Sequence, residues 1–198
     1  MFFQVQVLLL IGAASLIHAG CPDVNAITNF DASQFAGRWY WTEWYNNGWL
    51  AQQAGNSIVC LSSTFTSSTS GNLSVSIIWK DLLTTVGGTA KGTFEDVANT
   101  PNAFNALFEL GSPLIPGRYY VLDILYNTVA VVFYCQNYAF GLSQIEMAWV
   151  LHRNSRGLTT RQRNRLIKRW DNDPYLGYLI DPTKFVPFPG TDCTNYRN

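Results

Sequence analysis

The sequence predicts an all-β fold: eight antiparallel strands closing up-and-down into a barrel, with one C-terminal α-helix. Three observations predict it. Segments rich in β-branched and aromatic residues recur eight times between residues 35 and 152, separated by turn-forming stretches, and short links suit antiparallel neighbours. Helical periodicity belongs to one stretch beyond residue 158. Aromatic residues make up 15% and charged residues only 13%, more apolar surface than a compact core of this size needs. Eight strands also close a barrel just wide enough to hold one small ligand.

The first twenty residues stand apart from that pattern. Phe2 to Ile17 is apolar except for Gln4, Gln6 and Ser15, and the small residues Ala19 and Gly20 follow. This is expected to be a secretory signal peptide, cleaved after Ala19 or Gly20. Its apolar core is shorter than the roughly 20 residues of a membrane span. Residues 21–198 then form one domain of ordinary size, expected to be secreted and extracellular.

The first strand, within 35–45, is the most pronounced. Six of the eleven residues Phe35 to Tyr45 are aromatic, and flat bulky side chains suit a pleated, half-buried surface. Strict alternation puts Trp39, Trp41, Glu43 and Tyr45 on one face and Tyr40, Thr42 and Trp44 on the other. Asp31 to Gln34 reads as one helical turn leading in, and 46–55 as a long loop. Further strands are expected at 58–66, 73–80, 84–94, 103–110, 118–126, 129–135 and 143–152. The fourth is expected to be bent or bulged at Gly87-Gly88, and Pro113 to Gly117 to break the chain. Phe104, Ala106 and Phe108 share one face of the fifth.

Thr159 and Gln162 make a capping box at the start of the helix, whose apolar stripe is Leu166, Ile167 and Trp170. The chain from Tyr175 onward, with its prolines, reads as an extended tail. Four cysteines, Cys21, Cys60, Cys135 and Cys193, suggest two disulfides in an exported chain, and three connectivities are open. No two are close enough for a zinc pair, so no metal is expected.

Taken together, these residues resemble the lipocalin family. Gly37-Arg38-Trp39 resembles its first motif. Ala148 to Asn154 is similar to its third, whose arginine, here Arg153, packs across the first-motif tryptophan. Tyr119 to Tyr126 with Val132 to Cys135 is similar to the second-motif region of the apolipoprotein D branch, which includes arthropod bilin- and carotenoid-binding lipocalins. Of that family's Thr-Asp-Tyr triplet the chain keeps only Tyr126. The resemblance spans Cys21 to Cys193. It implies the disulfides Cys21–Cys135 and Cys60–Cys193, and structural roles for Gly37, Trp39 and Arg153: a guanidinium lying over an indole seals the closed end.

The same resemblance implies a ligand cavity. It points to the face of Leu151, Trp149 and Met147 as inward, and places Phe65, Phe108 and Tyr119 in the wall, with Phe104 and Val121 sharing their faces. On parity Glu43 and Asp123 also face inward, where a donor such as Tyr45 or Tyr119 would hold a buried carboxylate. The expected function is non-covalent carriage of one small hydrophobic molecule: a bilin or carotenoid pigment, or a lipid such as a fatty acid or steroid. No cofactor is expected beyond that pigment or lipid.

No catalytic residues are expected. His18 departs with the signal peptide, His152 reads as outward-facing, and pairing all four cysteines removes a thiol nucleophile. With 13 basic and 13 acidic residues no global field recruits nucleic acid, and no transmembrane segment is expected. Residues 153–169 nevertheless hold seven basic residues and no acid. The alternative function is therefore a protein-interaction module acting through the barrel-mouth loops and this basic helix, with a receptor or a second copy as partner. Asn72-Leu73-Ser74 is a glycosylation acceptor at a turn.

Overall fold

The computed structural model describes residues 21–22, 24, 27, 29–45, 58–81, 87–97, 100–109, 115–138, 143–172, 174–179 and 181–188. The expected signal peptide and Cys193 lie outside these. A single turn, α1 (Ala32–Phe35), leads into β1 (Gly37–Tyr45). The next seven strands are β2 (Ile58–Ser67), β3 (Leu73–Asp81), β4 (Gly87–Val97), β5 (Thr100–Glu109), β6 (Ile115–Leu125), β7 (Val129–Tyr138) and β8 (Ser143–His152). Each pairs antiparallel with its sequence neighbour, and β1 pairs with both β2 and β8, closing the barrel. Closure satisfies the edge groups that an open sheet would leave free.

Three expectations are corrected. β4 is regular against β3 from Gly87 to Phe94, with no bulge at Gly87-Gly88. β6 begins at Ile115 and runs through Pro116 and Gly117; a strand's first residues tolerate proline. The chain after helix α2 (Thr160–Asp171) is not simply extended. It forms α3 (Pro174–Leu179), a 3₁₀ turn (Pro182–Lys184) and β9 (Phe185–Pro187), which pairs with the upper end of β1. The chain reversal after Asp171 lets Phe185 and Leu176 cover the outer wall beside Trp170.

The apolar residues divide between two cores. One lies inside the barrel; the other lies outside it, where Trp170, Leu176 and Phe185 pack on outward residues of β6, β7 and β8. α2 begins at Thr159, whose hydroxyl accepts the Gln162 N–H while the Gln162 side chain accepts from the Thr159 N–H. The Cys21–Cys135 disulfide ties the N-terminal segment to β7. Cys60 is also disulfide-bonded, at a bulge in β2 where its φ is +57°.

Candidate functional site

The site is the barrel interior, and its floor is built first. α1 is capped by the Asp31 carboxylate, which accepts from the backbone and side chains of Ser33 and Gln34 at 2.6–3.1 Å. Those bonds hold its pKa down at about 2. The cap delivers Phe35 under the barrel, where its ring meets Trp39 at 5.4 Å and Phe65 at 4.7 Å. The Trp39 indole donates to the Phe35 carbonyl at 2.8 Å. Over its other side lies the Arg153 guanidinium, 3.7 Å from the ring centroid.

That guanidinium donates to the carbonyls of Tyr126, Arg38, Gln34, Phe35 and Ala36 at 2.9–3.3 Å. A stacked cation contributes about 0.5–2 kcal/mol. Here it also satisfies carbonyls that the chain turn leaves without ladder partners. Gly37 has φ +100°, and a Cβ there would sit 3.1 Å from Arg153 Nη1. Glycine is needed for both reasons. Tyr126 completes the floor: its hydroxyl accepts the Asp31 N–H at 2.6 Å.

Above the floor, Phe94 meets Phe104 and Tyr119 edge to face and lies tilted against Phe65. Each is at most 4% exposed. Burial pushes the Tyr119 phenol well above its usual ionisation, so it stays a neutral donor.

The upper half is different. Trp41, Trp44, Trp79, Phe108 and Met147 pack against the barrel core and are still only partly buried. Three glycines lie on the inner face opposite rings. A Cβ on Gly88 would fall 2.2 Å from the Trp79 ring, on Gly117 2.4 Å from Tyr134, and on Gly92 3.0 Å from Phe108. The rings therefore lie flat on bare backbone, against the wall rather than across the lumen. Trp149 meets Trp41 at 4.6 Å, and the Trp41 indole donates to Ser63.

Eight of the residues expected to line the cavity do share this interior core: Phe65, Phe104, Phe108, Tyr119, Val121, Met147, Trp149 and Leu151. Glu43 and Tyr45 do not. A bulge between Trp41 and Glu43 shifts β1 by one residue against β8, which reverses the facing of everything beyond it. Trp44 turns inward instead, and Tyr45 packs on Phe185 outside the barrel. The Glu43 carboxylate accepts from Arg163 of α2 at 3.0 and 3.1 Å. Asp123 is corrected in the same way. A bulge between Val121 and Asp123 turns it outward, where it pairs with Arg169 and accepts from the Trp170 indole at 3.3 Å.

Sequence reasoning also missed Trp44, Trp79 and Tyr134 as interior residues. For Trp79 a signal existed, since it continues the alternation of Leu73, Val75 and Ile77. His152 faces outward as expected and is 6% exposed. Its Nδ1 accepts the Asn154 N–H at 2.9 Å, and its buried Nε2 has no hydrogen-bond partner among the described residues. Burial lowers its pKa. Asn72 sits in the β2–β3 turn, its Oδ1 accepting from the Asp96 N–H at 3.0 Å. A depression of about 450 Å³ also lies on the outer wall beside the Cys21–Cys135 disulfide, bordered by Glu95, Asn105, Arg118 and Asn137.

No family model matches the chain. It is 29% identical over 157 residues to the Lazarillo protein of Schistocerca americana, covering 77% of this chain and 70% of that protein. Among solved structures it resembles insecticyanin of the tobacco hornworm Manduca sexta, with a TM-score of 0.66, 21% identity and 85% of each chain covered. The cockroach allergen Per a 4 gives 0.65 at 15% identity, covering 90% of this chain and 99% of that one. Apocrustacyanin C2 gives 0.59 at 16% identity, covering 81% and 79%. With a closed eight-stranded antiparallel barrel, a Gly37-Arg38-Trp39 entry strand and Arg153 laid across its tryptophan, the chain has the lipocalin fold.

Proposed function

We propose that this protein is a secreted carrier holding one small hydrophobic molecule non-covalently in the upper half of its barrel. One observation carries the reading: large apolar side chains of the interior core, Trp41, Trp44, Trp79, Phe108 and Met147, keep part of their surface exposed. A side chain that turns away from bulk solvent and still finds open surface lines a space. The lipocalin fold supports the same reading, as do the glycines that let three rings lie flat against the wall. The apolipoprotein D-like resemblance points to a pigment or a lipid as cargo. Among the described residues no helix is long and apolar enough to cross a membrane.

The test is retinol titration followed by tryptophan quenching. Replacing Trp149 with Ala should weaken binding about tenfold or more, since removing one buried aromatic contact costs more than 1 kcal/mol. Unchanged affinity in a folded Trp149→Ala variant would overturn the reading. It would leave the alternative, in which loops and the basic face of α2 engage another protein.

A further inference from the structure

We infer that the outward face of α2 binds a sulfated polysaccharide. This rests on the secreted half of the carrier reading and is independent of what the barrel holds. Charge is unevenly distributed along the chain. Acidic and basic residues are equal in number, yet residues 153–169 hold seven of the 13 basic side chains and no acid. Three of the seven serve the fold: Arg153 covers Trp39, Arg163 binds Glu43 and Arg169 pairs with Asp123. Arg156, Arg161, Arg165 and Lys168 are left, and all four are exposed.

The helix gathers three of them. Spacings of four and three residues place Arg161, Arg165 and Lys168 in one stripe, running about 10 Å along the axis. It lies on the side away from Trp170, which is 1% exposed and packs on the barrel wall. Among the described residues none of these three side chains has a hydrogen-bond or ion-pair partner. Asp171, the one acid of α2, comes at its last residue, beside the stripe. Stability of the fold gives no reason for the arrangement. Like charges three and four residues apart repel. Arg161 also stands in the first turn, which holds no acid and where the helix dipole disfavours a cation. Repulsion that nothing in the fold offsets marks a face shaped by a partner.

The chemistry of the stripe points to the class of partner. A row of cations suits a polyanion. The apolar residues of α2 are turned to the wall, Trp170 buried and Leu166 and Ile167 partly so. The large exposed hydrophobics among the described residues, Ile78 and Leu125, belong to β3 and β6. An interfacial helix needs an apolar face to enter a membrane, and a protein interface needs an apolar or aromatic anchor at its centre. The stripe has neither. A sulfated chain needs only its oxyanions paired, and guanidinium groups hold such oxygens bidentately, as they do phosphate.

The test is calorimetric titration of the full mature protein with heparin at about 0.15 M salt, near physiological ionic strength. Desulfated heparin of the same length is the matched control and is expected to bind about 100-fold more weakly. The triple variant Arg161→Gln, Arg165→Gln, Lys168→Gln should lose about 100-fold in heparin affinity, since each basic side chain at an anionic surface is worth about fivefold. Glutamine keeps the helix propensity, and far-UV circular dichroism checks the fold. Arg165→Gln alone should cost about fivefold, which keeps the question open to measurement if the triple variant does not fold. Lys91→Gln, which removes a cation from β4, should leave affinity unchanged. Failure of the wild type to bind heparin, or equal binding of the desulfated chain, overturns the inference. Undiminished affinity in the folded variants overturns it too, and binding to phosphatidylserine vesicles without binding to heparin overturns it in favour of a membrane. Retinol titration of the same protein reports on the barrel separately, so failure of either result leaves the other standing.

Discussion

The two halves of the barrel interior are built from the same residue types and reach opposite outcomes. In the lower half each ring faces other rings: Phe35, Trp39, Phe65, Phe94 and Phe104 are at most 3% exposed. In the upper half Trp79 and Tyr134 lie over Gly88 and Gly117, and Trp41, Trp79, Phe108 and Met147 stay only partly buried. An aromatic ring is thus a plug or a lining according to what stands opposite it. Glycine makes the difference by removing the side chain that would push the ring inward.

The comparison breaks most visibly at the floor. Trp39→Ala should cost about 3–5 kcal/mol or prevent folding outright, as large-to-small changes do at fully packed aromatic sites. Denaturant unfolding measures it, and a loss under about 1 kcal/mol would show the floor to be loosely packed. In the upper half the informative change is the reverse. Gly117→Val should lift the Tyr134 ring off the wall at about 1–3 kcal/mol, while lowering retinol affinity more than tenfold. Stability and affinity falling in such different proportion would separate lining from plug.

The wall itself offers a sharper contrast, between its inner and outer faces. Glu43→Gln should lower stability by about 1–2 kcal/mol, between the values for exposed and buried pairs, because Glu43 is 10% and Arg163 34% exposed. Retinol affinity should not change. A large effect on affinity would place Glu43 in the lumen after all.

The smallest effect is one of pH. The neutral form of His152 is favoured in the fold, because burial lowers its pKa from the ordinary 6.5. The unfolded chain then binds a proton that the folded one refuses, so the stabilisation is complete above pH 6.5 and is lost as pH falls below it. His152→Gln should flatten the slope of stability between pH 7 and 5. A wild-type slope that survives the substitution would assign it elsewhere.

Much of this was legible in the sequence. Eight strands, the capping box of α2, Gly37, Trp39 and Arg153 are local or periodic signals, and a period of two assigns most interior residues from Phe65 to Leu151. The failures share one cause. A β-bulge adds a single residue, has no strong composition of its own, and inverts every assignment beyond it. Glu43, Tyr45 and Asp123 were misplaced by that inversion alone. Gly87-Gly88 was legible as unusual yet not as a seat for Trp79, because cross-strand partners depend on register. The tail's α3 and β9 owe their form to packing on the outer wall, which is tertiary information.

The central claim is that apolar guests occupy the upper barrel and nothing occupies the floor. It is tested most directly by anomalous diffraction from crystals soaked in 1-bromodecane. Bromine density is expected among Trp41, Trp79, Phe108, Tyr134 and Trp149, with none below the Phe65–Tyr119 layer. Density confined to the outer-wall depression beside Cys21–Cys135, or no density inside the barrel, would contradict it.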